Sequence, residues 1–569
     1  LFLSISVFLG RRFASDRLRV FARLAPFALL QLAAFAILLW SEEDWAAQAA
    51  FLFTWGFLNF FWLALLCRPA TAAALSLALV VVAIVLSQFK HGVVMMTLTF
   101  VDLMLVDRAT FSFLMTIFPG LAWKVLLAVL LLIAILAVLW RSEPFRTRRS
   151  VALAGCIGCA TALAIVSIVV PLEREDEFLA HQYVSKFVRS SVVAAADLLT
   201  RGVLEADAAV HGGLNLAGMP VCGPPARRKL PHIVMVFDES SFDATMLPGV
   251  IVPENYRERF RSSDGKLRSL VVEGAGGPSW YTEYNILTGL SVRSYGRFAD
   301  SVTRLAAGHV KRGLPYVLRN CGYRTYTLYS WFGAFVGARN FQTTAGIEHF
   351  LDAKALRTGP ADTDSFFYDR AGDVIAREHA NGPVFVLVYL AMNHFPWTYR
   401  YRPDLLPQWA NRGNPSEIDE YLRRQEISRS DYVAFKQRLA REFPQDSFLL
   451  VRFGDHQPMF AKRFLQPALD PAKVAEHIRE HDPRYFTAYY ALEGLNFEPA
   501  DLTSALELLD APYLPLAVLE AGGVPLDGAF AEQKKILNRC GGLFYLCADG
   551  AEARRFNRLL MNAGLIQGL

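Results

Sequence analysis

The sequence predicts two bodies of different class: a five-span α-helical membrane domain, then an α/β domain with a mainly parallel central sheet. Three observations predict them. Hydrophobic residues make up 53% of the 569 and crowd into the first third. The loops between the apolar runs alternate between basic and non-basic. Beyond residue 231, β-rich runs alternate with helical segments, as strands joined by crossover helices do.

The apolar runs fall at about 24–40, 46–66, 71–88, 121–140 and 151–170, each close to the ~20 residues that cross a bilayer core. Arg11, Arg12, Arg17, Arg19 and Arg23 precede the first run, Arg68 separates the second from the third, and Arg141, Arg146, Arg148 and Arg149 separate the fourth from the fifth. Basic loops stay in the cytoplasm. The first loop instead carries Glu42, Glu43 and Asp44, and the long third loop sets Lys90 and Arg108 against Asp102 and Asp107. Every loop agrees with a cytoplasmic N-terminus, so five spans leave the C-terminal part outside. Residues 89–120 mix Phe, Met and Leu with charge, which suits helices at the membrane surface better than a sixth span. Leu1–Leu9 is too short to span and stays unassigned.

The membrane domain therefore covers 1–171. Residues 172–230 form a tether, amphipathic and charged at Glu173–Glu177 and then rich in Gly and Pro. Residues 231–569 make one outer domain. The net charge of +5 owes most to the topological arginines, and no basic run with interleaved aromatics appears in the outer domain, which excludes nucleic acid as a partner. Cys67, Cys156 and Cys159 lie in or beside spans as small packing residues. Cys540 and Cys547 are spaced for a short disulfide loop in an oxidising compartment, whereas Cys222 and Cys321 either pair or stay free.

Within the outer domain His232–Phe237, Tyr323–Tyr329, Val384–Leu390 and Ser447–Phe453 read as strands, and Tyr421–Glu442 as a charged helix feeding the last of them. The first strand ends in Asp238-Glu239-Ser240 and the last in Gly454-Asp455-His456. Carboxyl ends of parallel strands converge on one crevice, so Glu239, Asp455 and His456 are the candidate ligands of one divalent metal. Mixed oxygen and imidazole donors suit manganese or zinc better than magnesium.

Between them, Gly274-Ala-Gly-Gly-Pro-Ser279 leads into a helical pattern. Small residues let backbone approach a ligand, and a serine at a helix start sits at a positive dipole end. Ser279 is the candidate nucleophile and a further metal contact, with Thr282 one turn on as the reserve. Serine at that place also serves as a helix cap. His394, in Asn393-His-Phe-Pro396 after the third strand, is placed to bind a phosphate or protonate a leaving oxygen. Arg339 is a weaker candidate for clamping phosphate oxygens.

In order and spacing these motifs resemble the alkaline phosphatase superfamily, and within it the membrane branch of lipoteichoic acid synthases, phosphoglycerol transferases and phosphoethanolamine transferases. The resemblance spans the whole chain, and implies that the outer domain is sulfatase-like and faces outward from a bacterial cytoplasmic membrane. It carries the metal roles onto Glu239, Asp455 and His456, the nucleophile role onto Ser279 four residues before Glu283, and the substrate histidine onto His394. Two departures stand out: serine replaces the usual threonine, and Gly337 stands where the tryptophan of a Trp-x-Arg motif would precede Arg339. The formylglycine motif of true sulfatases, Cys/Ser-x-Pro-x-Arg, is missing from Ser279–Glu283.

The resemblance implies metal-dependent transfer of a phospholipid head group, phosphoglycerol or phosphoethanolamine, to a glycan or lipid-sugar hydroxyl through a covalent intermediate on Ser279. The rival expectations are a membrane-anchored phosphodiester or sulfate ester hydrolase, and an inactive membrane receptor or binding module. Transport is disfavoured because no span centre carries clustered ionisable residues.

Overall fold

The computed structural model describes residues 24–569 except 95, 107–109, 112–113, 116–117, 119, 171, 173–179, 212, 215–229, 360–361 and 569. Leu1–Leu9, the five N-terminal arginines, Asp107, Arg108, the Glu173–Glu177 run and Cys222 therefore lie outside the described residues. The chain divides into two compact units, 1–200 and 201–569.

In the first unit, five described helices are long and apolar enough to cross a membrane: α1 (Leu24–Ser41), α2 (Trp45–Leu66), α3 (Pro69–Val94), α5 (Leu121–Ser142) and α6 (Arg149–Val169), with the short α4 (Phe100–Leu105) between the third and fourth. Side chains fix several of their ends. Asp44 accepts from the backbone of Ala46 and Ala47, capping α2. Glu143 reaches across to accept from the amides of Ala70 and Thr71 at the start of α3. At the α3–α4 corner Lys90 pairs with Asp102 at 2.8 Å, while α4 leaves Leu103 and Met104 exposed. A further helix, α7 (Tyr183–Thr200), packs against this unit, its Ser185 hydroxyl donating to buried Glu42.

The second unit is built on an eight-stranded sheet. Its strands are β1 (His232–Asp238), β2 (Arg268–Val271), β3 (Arg324–Leu328), β4 (His349–Leu351), β5 (Val384–Tyr389), β6 (Phe448–Gly454), β7 (Thr487–Leu495) and β8 (Leu508–Asp510), in spatial order β4-β3-β5-β1-β6-β7-β2-β8. β7 runs antiparallel to both neighbours; every other pairing is parallel. The four strands read from the sequence, β3, β5, β1 and β6, are adjacent in the sheet. β1, β5 and β6, buried on both faces, read as near-continuous apolar runs, whereas β3, Arg324-Thr-Tyr-Thr-Leu328, reads as a strand by its Thr and Tyr. β2, β4 and β8 span only three or four residues, too few for a periodic signal.

Two helices, α10 (Asp364–Glu378) and α11 (Ser416–Glu442), cover one sheet face, where Tyr368, Ala371, Tyr432, Phe435 and Leu439 meet Val234, Val236, Val386 and Leu450. α11 starts before Tyr421 because Pro415 opens it, and Glu417 and Asp419 favour the positive end of its dipole. Two further helices bear on the site: α8 (Ser279–Thr288) and α9 (Ala338–Thr344).

Candidate metal centre and nucleophile

β1 and β6 are hydrogen-bonded neighbours with Asp238 opposite Gly454, so the residues that follow each leave the sheet side by side. Ser240 takes a left-handed backbone, φ 51°, and in that conformation its amide donates to Asp455 Oδ1 at 2.7 Å. The same oxygen accepts the His456 amide at 2.9 Å. Gly454 has no alternative here, since a Cβ on it would lie 1.8 Å from the Ser241 carbonyl oxygen. Behind the strand end, the Tyr489 hydroxyl donates to Asp238 at 2.6 Å.

These contacts bring Glu239, Asp455 and His456 together, with one ligand atom of each within 4.8 Å of the others. His456 Nε2 lies 3.3 Å from Asp455 Oδ2 and 3.6 Å from Glu239 Oε1. Its Nδ1 is 2.8 Å from the Gln457 carbonyl oxygen. A carbonyl only accepts, so Nδ1 carries a proton and Nε2 is the nitrogen that faces the carboxylates.

The cluster fits a divalent cation. Asp455 is fully buried, its Oδ2 has no hydrogen-bond partner, and no Lys or Arg pairs with it among the described residues. Burial, reinforced by the Glu239 charge, pushes the Asp455 carboxyl well above the usual range. Burial also disfavours a charged His456, but the two carboxylates outweigh it and hold its pKa up. Two carboxylates and an imidazole facing one another without a compensating cation make an unfavourable arrangement that a bound metal relieves.

Ser279 opens α8, but it does not cap it. Pro278 holds the cap position, without a side-chain cap bond. The Ser279 hydroxyl instead points at the cluster, 3.4 Å from Glu239 Oε2 and 3.3 Å from His456 Nε2. Thr282 is fully buried and its hydroxyl donates to the Asp455 carbonyl at 2.7 Å, so it braces the ligand from behind.

His394 is exposed at the same sheet edge, following β5, which pairs with β1 on the side opposite β6. Its Nδ1 faces the Phe395 carbonyl at 2.8 Å, which leaves Nε2 as the outward nitrogen. Two residues that carry no motif hold this segment. Asp364 accepts the amides of Ala391 and Met392, and Arg424 donates to the carbonyls of His394, Pro396 and Tyr399. Burial pushes the Asp364 carboxyl up to about 7. The sequence signal for both was faint: each is a charged residue on a helix that also contributes to the core. Arg339, on α9, gives its guanidinium to Asp352 at 2.7 Å and to the Phe350 carbonyl at 3.0 Å, so two of its nitrogens are engaged with β4 and the residue after it.

In the distal half, Cys540 and Cys547 form the expected disulfide, Cα atoms 5.6 Å apart. Cys321 is also disulfide-bonded.

Residues 277–485 match the Sulfatase family model, a segment that opens two residues before Ser279 and includes His394, Asp455 and His456. No curated protein matches the chain. Among solved structures, it is similar to the Streptococcus pyogenes phosphoglycerol transferase GacH in complex with sn-glycerol-1-phosphate, at 14% identity and TM-score 0.45 over 60% of this chain and 87% of that one. It is also similar to the lipoteichoic acid synthase LtaP from Listeria monocytogenes, at 16% identity and TM-score 0.39 over 55% and 77%. The integral membrane lipooligosaccharide phosphoethanolamine transferase A from Neisseria meningitidis matches at 13% and 0.38 over 73% and 83%. Likenesses at this level carry no activity from one protein to another.

Proposed function

We propose, from the sulfatase-type match around Ser279 and the geometry of its hydroxyl, that the chain is a metal-dependent phosphotransferase. It moves a phospholipid head group, phosphoglycerol or phosphoethanolamine, onto a glycan or lipid-sugar hydroxyl. The observation that carries this reading is a serine oxygen at a helix start, 3.3 and 3.4 Å from His456 and Glu239, with buried Asp455 completing the set.

Glu239, Asp455 and His456 would hold the cation, manganese or zinc suiting the donors better than magnesium. Bound there, it lowers the hydroxyl pKa and draws off charge from phosphate oxygens. Ser279 loses its proton to solvent as its Oγ attacks the phosphorus, the bond to the diacylglycerol oxygen breaks, and that oxygen leaves with a proton supplied by His394. His394 then takes the proton of an acceptor hydroxyl as that oxygen attacks the same phosphorus, the bond to Ser279 Oγ breaks, and Ser279 regains its proton from solvent. The α8 amino end adds positive potential where the phosphate charge gathers. The membrane unit keeps the enzyme in the same bilayer as its donor, which raises effective concentration. A cytoplasmic N-terminus with the second unit outside agrees with the loop charges and with the Cys540–Cys547 disulfide, which belongs to an oxidising compartment.

The test is intact mass spectrometry of purified protein incubated with head-group-labelled phospholipids. The expected result is one head-group phosphate added at Ser279 and none in Ser279→Ala. Turnover by Ser279→Ala at the wild-type rate would sink the mechanism, and release of free head-group phosphate with no modified acceptor would turn the reading to hydrolysis.

A further inference from the structure

A cavity of about 880 Å³ opens within the second unit, and none of Glu239, Ser279, Asp455 or His456 lines it. Its lining comes from the segment after β1 (residues 253–261), from residues 406–412 and from α11, with Arg452 of β6 and Glu493 of β7. Six of the lining residues are Arg or Lys and four are Glu, a surplus of two positive charges.

Local pairing shows where that surplus sits. Glu258 pairs with Arg261, Glu426 with Arg429, and Glu493 with both Lys436 and Arg452, while the fourth glutamate, Glu254, is exposed and has no basic partner among the described residues. Arg259 and Arg412 have no carboxylate partner among the described residues. Arg259 and Arg452 are each only 5% exposed, and the Nε of each has no hydrogen-bond partner. Arg452 is balanced by Glu493 and lies 4.1 Å over the Tyr432 ring, whereas Arg259 gives one nitrogen to the Gln425 carbonyl and has no carboxylate, so its buried charge is costly unless an anion balances it. Arg412, exposed, lies 5.8 Å over the Trp409 ring. The Trp409 indole N–H is taken by Asp419 at 2.9 Å, which fixes the ring. Trp409 and the exposed amide side chains of Asn255 and Gln408 line the same cavity, and an aromatic ring with hydrogen-bonding groups around it suits a pyranose, which carries an apolar C–H face and a rim of hydroxyls.

We infer that this cavity is a second binding site, for a phosphorylated sugar. Arg259, Arg412 and Arg452 meet the phosphate; Trp409, Asn255 and Gln408 meet the sugar. The chain that leaves β5 through His394 runs on to Trp409 and Arg412, which line the cavity. The inference does not rest on the transfer chemistry, because it concerns binding by residues outside that cluster.

Equilibrium dialysis of the full-length protein in detergent against radiolabelled glucose 6-phosphate tests it. Saturable binding is expected, unchanged in Ser279→Ala or in EDTA. It should weaken about tenfold in Arg412→Ala, the loss of one charge-assisted contact, and vanish in Val433→Trp, which fills the cavity from α11. Methyl glucoside and inorganic phosphate should each bind at least about tenfold more weakly. Binding abolished by EDTA would place the ligand at the metal cluster, and binding unmoved by both variants would place it outside this cavity; either overturns the inference. Inorganic phosphate binding as well as glucose 6-phosphate would reduce the site to an anion hole, glycerol 3-phosphate binding more tightly than either would mark a lipid head-group site, and no saturable binding would mean no site; each outcome refutes the sugar assignment.

Discussion

Ser279 and Thr282 stand one helical turn apart with opposite commitments. The first hydroxyl faces the ligand cluster, while the second is spent on the Asp455 carbonyl. Ser279→Ala should therefore lower turnover by at least about 10³-fold with metal stoichiometry unchanged, as judged by elemental analysis. Thr282→Val should instead weaken metal binding. Gly454 belongs to the same scale: alanine there collides with the Ser241 carbonyl, and a loss of about 2–4 kcal/mol in chemical denaturation is expected. Asp364 gives a pH signature. Its folded pKa, about 7, lies above the unfolded value, so between roughly pH 4 and 7 the folded form holds the extra proton and stability falls as pH rises through that window. Asp364→Asn keeps an oxygen for the amides of Ala391 and Met392 but cannot titrate. Its Tm should fall less than the wild type's between pH 5 and pH 8.

At the scale of elements, the candidate metal ligands were legible because each sits where an apolar strand meets an acid, and β1 and β6 are central strands whose burial writes itself into the sequence. The segment after β5 was legible only at His394. What holds it, Asp364 on α10 and Arg424 on α11, comes from helices whose charged residues look like ordinary solvated faces until tertiary packing buries them. Arg339 shows the reverse difficulty: its partner Asp352 directly follows β4, a strand too short to read. Arg424→Met removes three carbonyl anchors from the His394 segment while leaving the ligand cluster untouched. It should lower kcat/KM by about 10²-fold with metal affinity unchanged, measured by metal titration against steady-state kinetics.

For the whole molecule, the division into an apolar helical unit and an α/β unit was visible in composition, and the loop charges add an orientation that coordinates alone do not carry. Among the described residues, the candidate metal ligands all lie in the second unit. Adding manganese or zinc to chelator-treated protein should raise one thermal transition by about 4 °C and leave the unfolding of the membrane helices where it was. Because Glu239 and Asp455 follow strands that are hydrogen-bonded to each other, their separation is set by the interstrand spacing of about 4.8 Å and not by the long stretch of chain between them. Loops of that stretch that carry none of the site residues are therefore free to accept insertions or deletions without moving the two carboxylates apart, so the surface around them can diversify about a fixed centre.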